Sequence, residues 1–441
     1  MGGQRPVRPA AHGPGPAHFP RQGTIEPVNH SAARPADTAA VRRHNMSRVL
    51  RHIAAHGPCA RTEIAAGSGL VHASVTALAA ELIARGLIRE VGVAASGARG
   101  RPRRLLSLVP GRVVSIAVQV TLERVEVMAA DLAGEVVHRA GVAHHAPFGD
   151  PGSLAATLAA RIADAEDAVR AIPGTHRAGT VIAMAGPVTG PRHTIAAAID
   201  FGWSDTDLRA LVEARLPAGA APVDVVNDAN VAALAEYHAR AEHGELPYVV
   251  AYIKADTGVG GGLVIGGRVL TGTRGMAGEV GHIPLAMDGP HCPCGARGCL
   301  ATYVGPEPLT AAAGLADVAA REGLDAALAE LDRRLRADDP RAIAAVAGAG
   351  RCVGAAVLAV SGLIDTGEVI LGGYLATWQP WLAPGLDAAM AGRHAAAPHL
   401  QPTVVSGVLG REATLRGALW SAREGVLDDP ASVPVAAPRT G

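Results

Sequence analysis

The sequence contains little cysteine, almost no lysine and no long apolar run. It has five cysteines and a single lysine, Lys254, in 441 residues. No stretch of eighteen apolar residues without a charge occurs, and the N-terminus has no compact apolar segment, which argues against a membrane span and a signal peptide. Cys59 and Cys352 stand alone in the sequence, so a disulfide framework is not indicated. We therefore expect a cytoplasmic protein with no membrane contact.

The charge of the chain is zero overall but unevenly distributed. Residues 41–104 carry eleven arginines against three glutamates, a net charge of +8, whereas residues 105–441 carry a net charge of −10. Apolar residues make up 49% of the chain, enough for the cores of two or three domains. A basic module joined to an acidic body predicts that only the first part meets a polyanion.

Composition and periodicity divide the chain into four segments. Residues 1–39 are rich in Pro, Gly, Ala and His and predict a disordered tail, while residues 40–110 form a separate small module. Residues 111–426 alternate strand and helix patterns, which predicts an α/β body, and the Pro-containing residues 427–441 predict a flexible tail. The helices expected in the body span residues 152–171, 204–215, 229–242, 338–363 and 412–424.

The small module has the pattern of a winged helix-turn-helix. A helical periodicity begins at Asn45 and is stopped by Gly57 and Pro58. Two short helices joined by a glycine turn follow, and then two segments that read as the strands of a β wing. The side chains expected to point inward from the third helix are Val75, Leu78, Leu82 and Ile83.

Two parts of this module are candidates for DNA contact. Short polar side chains at the start of the third helix can meet phosphates or base edges, and an arginine-rich loop between the wing strands suits a narrow minor groove. Helix capping and a solvated surface are the alternative explanations for these two features. The candidate residues are His72, Ser74, Thr76, Arg99, Arg101, Arg103 and Arg104.

Three of the five cysteines fall within eight residues, close to a histidine. The candidate metal ligands are His282, Cys292, Cys294 and Cys299. One imidazole with three thiolates favours a closed, structural Zn²⁺ site, because a catalytic zinc keeps one position open for water. A chance cluster of small thiols or a local disulfide is the alternative.

The same segment resembles the signature of the ROK family, named for repressors, open reading frames and kinases. The resemblance rests on the Glu279-x-x-His282 start, the ten-residue step to Cys292 and the CPCGARGC run. It implies a two-lobed actin-like (ribonuclease H-like) ATPase fold behind the winged helix-turn-helix, with the ligand in the cleft between the lobes. Family members are sugar kinases or transcription factors.

The resemblance also implies a sugar site. In the family's kinases the pair that matches Asn227 and Asp228 binds the sugar, and the Asp is the general base; Glu279 and His282 match further sugar contacts. A helix N-cap is the alternative role for the Asn-Asp pair. Ala301 stands where the family usually has a glutamate that holds the sugar, which puts the ligand in doubt.

The sequence departs from a kinase at the first phosphate loop. Residues 119–123 read Gln-Val-Thr-Leu-Glu where the family's kinases carry Asp-x-Gly-Gly-Thr, so metal coordination and close backbone approach to phosphate are lost. The second loop, at residues 257–262, retains glycines whose backbone amides could approach anions, and a glycine-rich strand turn is the alternative explanation. We therefore expect no phosphoryl transfer, with Asp228 as a vestigial base.

The sequence predicts a transcriptional regulator, most simply a repressor. We expect it to bind a double-stranded DNA operator as a homodimer or tetramer and to respond to a sugar or sugar phosphate. One alternative is an ATP-dependent sugar kinase with an appended DNA-binding domain. Another is a DNA-binding protein whose body only dimerises.

Overall fold

A computed structural model describes residues 38–94, 103–144, 147–190, 193–241, 244 and 246–436. Contacts divide the chain between Arg42 and Arg43, and all packing described below lies within the second unit, residues 43–441. The first helix begins at Thr38 rather than at the expected Asn45, so it includes the last two residues assigned to the tail.

The N-terminal module is a winged helix-turn-helix. Its elements are α1 (Thr38–His56), β1 (Cys59–Ala60), α2 (Arg61–Ser68), α3 (His72–Ala84), β2 (Ile88–Ala94) and β3 (Arg103–Leu108). The strands form an antiparallel sheet in the order β1-β3-β2, and α2 meets α3 at 112°. Gly69 allows this turn because it adopts a left-handed φ of 66°.

Most of the expected inward positions of this module are buried. Val75 and Leu82 are fully buried and Leu78 nearly so, in one apolar cluster with residues of α1 and β3. Ile83 was expected inward but is 37% exposed. It lies next to Leu82 on the helix, and a single α-helical face cannot bury both neighbours equally.

The first lobe is a five-stranded sheet covered by helices. Its elements are β4 (Val113–Val120), β5 (Arg124–Asp131), β6 (Val136–Ala143), α4 (Pro151–Arg170), β7 (His176–Met184), β8 (Val188–Thr189), β9 (Thr194–Ala198), β10 (Trp203–Thr206), α5 (Leu208–Glu213) and β11 (Val223–Asn227). The expected helix at 204–215 is wrong at its start, residues 204–206, where β10 pairs with β9. Asp207 caps the helix that follows by accepting from the amide of Ala210, and so sets its start.

The second lobe repeats the pattern of the first. Its elements are α6 (Asp228–Ala241), β12 (Val249–Ala255), β13 (Val259–Ile265), β14 (Arg268–Val269), α7 (Ala301–Val304), α8 (Pro306–Ala312), α9 (Ala316–Glu322), α10 (Leu324–Arg336), α11 (Pro340–Ile364), β15 (Glu368–Gly373), α12 (Tyr374–Thr377), α13 (Gln379–Ala396), β16 (Thr403–Ser406) and α14 (Ala413–Asp428). The sheet orders are β11-β7-β4-β5-β6 and β16-β15-β12-β13-β14. In the first sheet, β4, β5 and β6 are joined by antiparallel pairings, and β7 and β11 extend the sheet from β4 by parallel pairings. In the second sheet, β12, β13 and β14 are joined by antiparallel pairings, and β15 and β16 extend it from β12 by parallel pairings. This duplication is the two-lobed actin-like, ribonuclease H-like fold.

Among the described residues, one helix, α11, is long and apolar enough to cross a membrane by length and composition alone. In this fold its apolar face packs in the core of the second lobe beside α13, with Val346, Val353 and Val357 fully buried. The apolar character of α11 is therefore explained by burial inside the lobe.

The segment after α14 differs from the expected flexible tail. Leu427 lies within α14, and Val433 is fully buried against the apolar core of the winged helix-turn-helix. Arg85 donates to the carbonyls of Ala431 and Val433, at 2.8 and 2.6 Å. The C-terminal segment up to Ala436 thus joins the winged helix-turn-helix to the body, because its apolar side chains complete the core of that module.

Candidate metal centre, ligand cleft and DNA-binding surface

The four predicted metal ligands lie together. His282 ends a 3₁₀ turn after β14, and the cysteines follow in the loop that leads to α7. The four ligand atoms lie within 4.8 Å of one another, with Cys292 Sγ 3.6 Å from His282 Nδ1 and Cys294 Sγ 3.8 Å from Cys299 Sγ. A tetrahedral ion with Zn–S bonds of about 2.3 Å needs sulfurs about 3.8 Å apart. The donor set and its spacing fit one metal ion.

Local backbone geometry brings the metal ligands into reach of one another. Bridges between Pro284 and Cys299, and between His291 and Arg297, fold the loop into a tight hairpin. Gly298 adopts φ 64°, and a Cβ there would overlap the carbonyl oxygen of Ala286. Glycine is therefore required beside Cys299 for the loop to close.

Asn227 and Asp228 lie where β11 meets α6, at the carboxyl edge of the first sheet. The Asn227 side chain donates to the carbonyl of Gly186 at 3.0 Å and accepts from the amide of Asn230 at 2.9 Å. Its amide therefore caps α6 and ties it to the strand end, which is the capping role left open by the sequence.

Asp228 is held by Lys254, the only lysine of the chain. Lys254 Nζ, from β12, lies 2.5 Å from Asp228 Oδ2 and 2.9 Å from Asp256 Oδ2, and its side chain is 5% exposed. Burial acts to lower the pKa of Lys254, but the two carboxylates outweigh it and raise that pKa. Burial likewise acts to raise the pKa of Asp256, but the ammonium outweighs it and lowers that pKa. The cluster is thus a buried cation between two carboxylates.

Two further carboxyl groups respond to the charge of Asp228. Burial raises the pKa of Glu279 to about 7, and the negative Asp228 adds to the shift. Burial also raises the pKa of Asp200, in the turn between β9 and β10; His282 opposes that shift and Asp228 adds to it. Acidic groups from both lobes therefore interact electrostatically in one region of the cleft. His282 belongs to this region as well as to the metal cluster.

Neither Asp200 nor Lys254 was predicted as a site residue. Asp200 carries no motif of its own. Lys254 offered one signal, because a charged residue inside the otherwise apolar strand pattern 249–255 must find a buried partner.

The two turns that correspond to phosphate loops line a small cavity. In the first turn, Thr121 exchanges hydrogen bonds with Arg124, so its backbone is closed on itself. In the second, the amide of Thr257 donates to the Asp256 carboxylate at 2.6 Å. The titratable residues lining the cavity are Glu123, Arg124, Asp256 and Asp325. Three carboxylates against one guanidinium disfavour a polyphosphate there.

The predicted DNA-binding residues are partly described. His72 and Thr76 are exposed on α3, and Ser74 is half-buried. Thr76 Oγ1 donates to the carbonyl of His72 at 3.0 Å, and no side chain caps the helix at its Val71 N-cap position. Because α3 begins at His72, Ser74 and Thr76 lie inside the helix, and neither is its N-cap.

The wing carries an ion-pair network at its base. Arg104 binds Glu90 across β2 and β3, and Glu90 also accepts from Arg61 at 2.9 Å. Arg99, Arg101 and the side chain of Arg103 lie outside the described residues. Their predicted contact with a minor groove stays a prediction.

The body of the chain is similar to known proteins in sequence and in fold. A family profile described as "ROK family" matches residues 115–424, well over half of the chain. The chain belongs to the ROK family. Among solved structures, it resembles a ROK family transcriptional regulator described as a homologue of the E. coli MLC protein, with 25% identity and a TM-score of 0.70. That match covers 88% of this ROK chain and 97% of the other.

The curated relatives of this ROK chain include both enzymes and repressors. Kanosamine kinase from Amycolatopsis mediterranei is 34% identical over 221 residues, 49% of this chain and 67% of that protein. The xylose repressor of Bacillus spizizenii is 25% identical over 277 residues, 62% of this chain and 69% of that protein. Family membership alone therefore leaves both a regulator and a kinase possible.

Proposed function

We propose that this ROK protein is a DNA-binding transcriptional regulator, acting as a repressor of sugar-metabolism genes under the control of a sugar or sugar phosphate. The observation that carries the proposal is the state of Asp228. A general base in a kinase must accept a hydroxyl proton, whereas Oδ2 of Asp228 already accepts a hydrogen bond from the buried Lys254 ammonium at 2.5 Å. The Gln119–Glu123 turn, which lacks the phosphate-loop pattern, supports the same reading.

In this proposal the cleft recognises a sugar through its acidic groups. Asp228 and Glu279 accept hydrogen bonds from sugar hydroxyls, Asn227 holds the start of α6, and His282 faces the ligand from the metal loop. His282, Cys292, Cys294 and Cys299 hold a structural Zn²⁺, which supplies a cross-link for that loop. The loop in turn keeps Glu279 in place.

A route from this cleft to the DNA-binding module follows from the packing of two helices. Asp228 opens α6, and the side of α6 packs on α14, where the rings of His238 and Trp420 lie 3.7 Å apart. At the far end of α14, Glu424 and Asp428 bind Arg51 of α1, at 2.6 and 2.7 Å. A ligand that closes the lobes would move α6 and α14 and shift the placement of the recognition helices.

The proposed partners are a palindromic operator and a second copy of the chain. Two recognition helices must lie about one DNA turn apart to read such a site, so we propose a homodimer or tetramer in the cytoplasm. His72, Ser74, Thr76, Arg99, Arg101, Arg103 and Arg104 are the proposed DNA-contacting residues.

An ATP-dependent sugar kinase with an appended DNA-binding domain is the second candidate. It is favoured by the presence of Asp228 at the family's base position and by the similarity to kanosamine kinase. The acidic lining of the cavity between the two phosphate-loop turns counts against it.

Genome-wide recovery of bound DNA tests the proposal. We expect a palindromic site beside sugar-uptake or catabolic genes, and release of that site in binding assays by one sugar from a panel of sugars and sugar phosphates. Phosphate transfer from labelled ATP to the same panel provides the comparison. No enriched site, together with phosphorylation of a sugar, would instead establish the kinase.

A further inference from the structure

The outward face of the recognition helix α3 is almost devoid of groups that read purines. Its exposed residues recur at helical spacing, opposite the buried Val75, Leu78 and Leu82. The exposed residues of the first three turns are His72, Ala73, Thr76, Ala77 and Ala80. Between His72 and Ala84 the sequence contains no arginine, lysine, asparagine or glutamine.

This composition restricts what α3 can recognise in a major groove. Paired hydrogen bonds to guanine come from arginine or lysine, and those to adenine come from asparagine or glutamine. The hydroxyl of Thr76 is already donated to the carbonyl of His72, which leaves its methyl group for outside contact. His72 remains as a hydrogen-bonding group at one end of the face. Along its middle, α3 therefore presents methyl groups.

One feature of a base pair matches such a surface. The C5 methyl of thymine is the apolar group that base pairs expose in the major groove, and alanine and the threonine methyl are side chains that pack on it. Small side chains also let the helix backbone come close to the base edges. Phosphate contacts, for which the exposed Arg48 and Arg89 are available on neighbouring elements, would supply affinity without sequence preference.

We propose that α3 reads its operator through thymine methyl groups, packed against Ala73, Thr76 and Ala77. The inference rests on the proposed function as a DNA-binding regulator and specifies the chemistry of the site. Each half-site then carries T·A pairs under the middle of α3, and guanine is confined to the end near His72.

Replacing thymine by uracil tests this, because uracil keeps the base pairing and lacks only the methyl group. Duplexes bound by the full chain are first selected from a random pool, and the Kd of the winning duplex is measured by fluorescence anisotropy at fixed salt. Uracil is then placed at one thymine position at a time. We expect about a fourfold loss of affinity for each packed methyl, the factor that corresponds to about 0.8 kcal/mol per buried carbon.

A protein variant ties the effect to α3. Ala77→Gln preserves helix propensity but replaces the methyl contact, so the uracil effect at its partner position should largely disappear in that variant. Ala55→Gln, at an exposed position of α1, is the matched control and should keep the full uracil effect.

The outcomes separate the two claims. Tight, selective binding that is unchanged by every uracil substitution would overturn thymine reading and leave the regulator intact. Selection of half-sites without thymine would do the same. Failure to bind any duplex would overturn both, and a change of oligomeric state in Ala77→Gln with unaltered DNA binding would assign this face to contact between copies.

Discussion

Lys254 is the residue on which the chemistry of the cleft depends. Its ammonium is charged because the carboxylates of Asp228 and Asp256 face it. The two ion pairs offset the free energy that burial of the ammonium costs. The arrangement leaves the second oxygen of Asp228 able to accept a hydrogen bond from a ligand, whereas Oδ2 is already held by the ammonium. A single residue thus separates sugar recognition from sugar activation in this proposal.

Removal of this ammonium is predicted to destabilise the fold. In Lys254→Met, Asp228 and Asp256 remain close together without their common partner. We expect the free energy of unfolding, measured by urea denaturation, to fall by about 3–5 kcal/mol. Adding Asp228→Asn should recover part of the lost stability, because it removes one of the two unpaired charges. A Lys254→Met protein as stable as the parent would show that the ion pairs of Lys254 contribute little to stability.

Replacement of one cysteine should release the metal. We expect the purified protein to contain one zinc per chain by elemental analysis, and Cys299→Ser to contain much less and to melt at a lower temperature. Cys352→Ser is the control, since Cys352 lies on α11 outside the cluster. Equal zinc content in both variants would contradict the ligand assignment.

At the scale of elements, the contact between α6 and α14 is unusually close. A Cβ at Gly417 of α14 would overlap the carbonyl oxygen of Val231 in α6, whereas a Cβ at Gly425 of the same helix would meet nothing within 4 Å. Gly417 is therefore needed for the close approach of the two helices, whereas the position of Gly425 has room for a larger side chain.

These glycines make a matched pair of substitutions. Gly417→Ala must push the helices apart, and we expect it to cost about 1–3 kcal/mol of unfolding free energy and to alter operator affinity. Gly425→Ala should be neutral or stabilise by up to about 1 kcal/mol, because alanine favours a helix. Similar effects of the two changes on thermal unfolding would argue against close packing at Gly417.

The same contact should be sensitive to acid. Burial, with the positive charges of Arg423 and Arg51, lowers the pKa of His238 to about 4. The unfolded chain binds this proton near pH 6.5, so stability present above pH 6.5 is lost as the pH falls toward 4. His238→Phe keeps a ring against Trp420 and should reduce the loss of stability between pH 7 and 4.5 by about 1–3 kcal/mol in denaturation experiments. An unchanged pH profile would mean that His238 is not held neutral.

At the scale of the whole molecule, Arg51 joins the winged helix-turn-helix to the body. Its pairs with Glu424 and Asp428 are partly exposed, so we expect Arg51→Met to change the unfolding free energy by less than about 1 kcal/mol. The ratio of operator Kd values with and without the releasing sugar should nevertheless move toward one. Arg336→Met, which removes an exposed pair with Asp332 within α10, is the control. An unchanged ratio in Arg51→Met would remove this contact from the proposed route.

The sequence by itself was sufficient for the features that depend on local patterns. The winged helix-turn-helix, the helices α4, α6, α11 and α14, and the clustering of His282 with three cysteines follow from periodicity and from close spacing along the chain. Local geometry decides such features, because neighbouring residues can reach one another only in a few ways. The duplicated fold was predicted through the family resemblance rather than through periodicity.

Only the tertiary structure decided which distant residues meet. The pairing of Lys254 with Asp228, the position of Asp200, and the burial of Val433 in the winged helix-turn-helix join segments that carry no mutual signal in the sequence. Residues 427–436 depart from the expected flexible tail for the same reason, since a Pro-rich composition does not reveal a distant apolar core that needs covering. Burial and electrostatic partnership are properties of the assembled fold, because they arise from contacts between elements far apart in the chain.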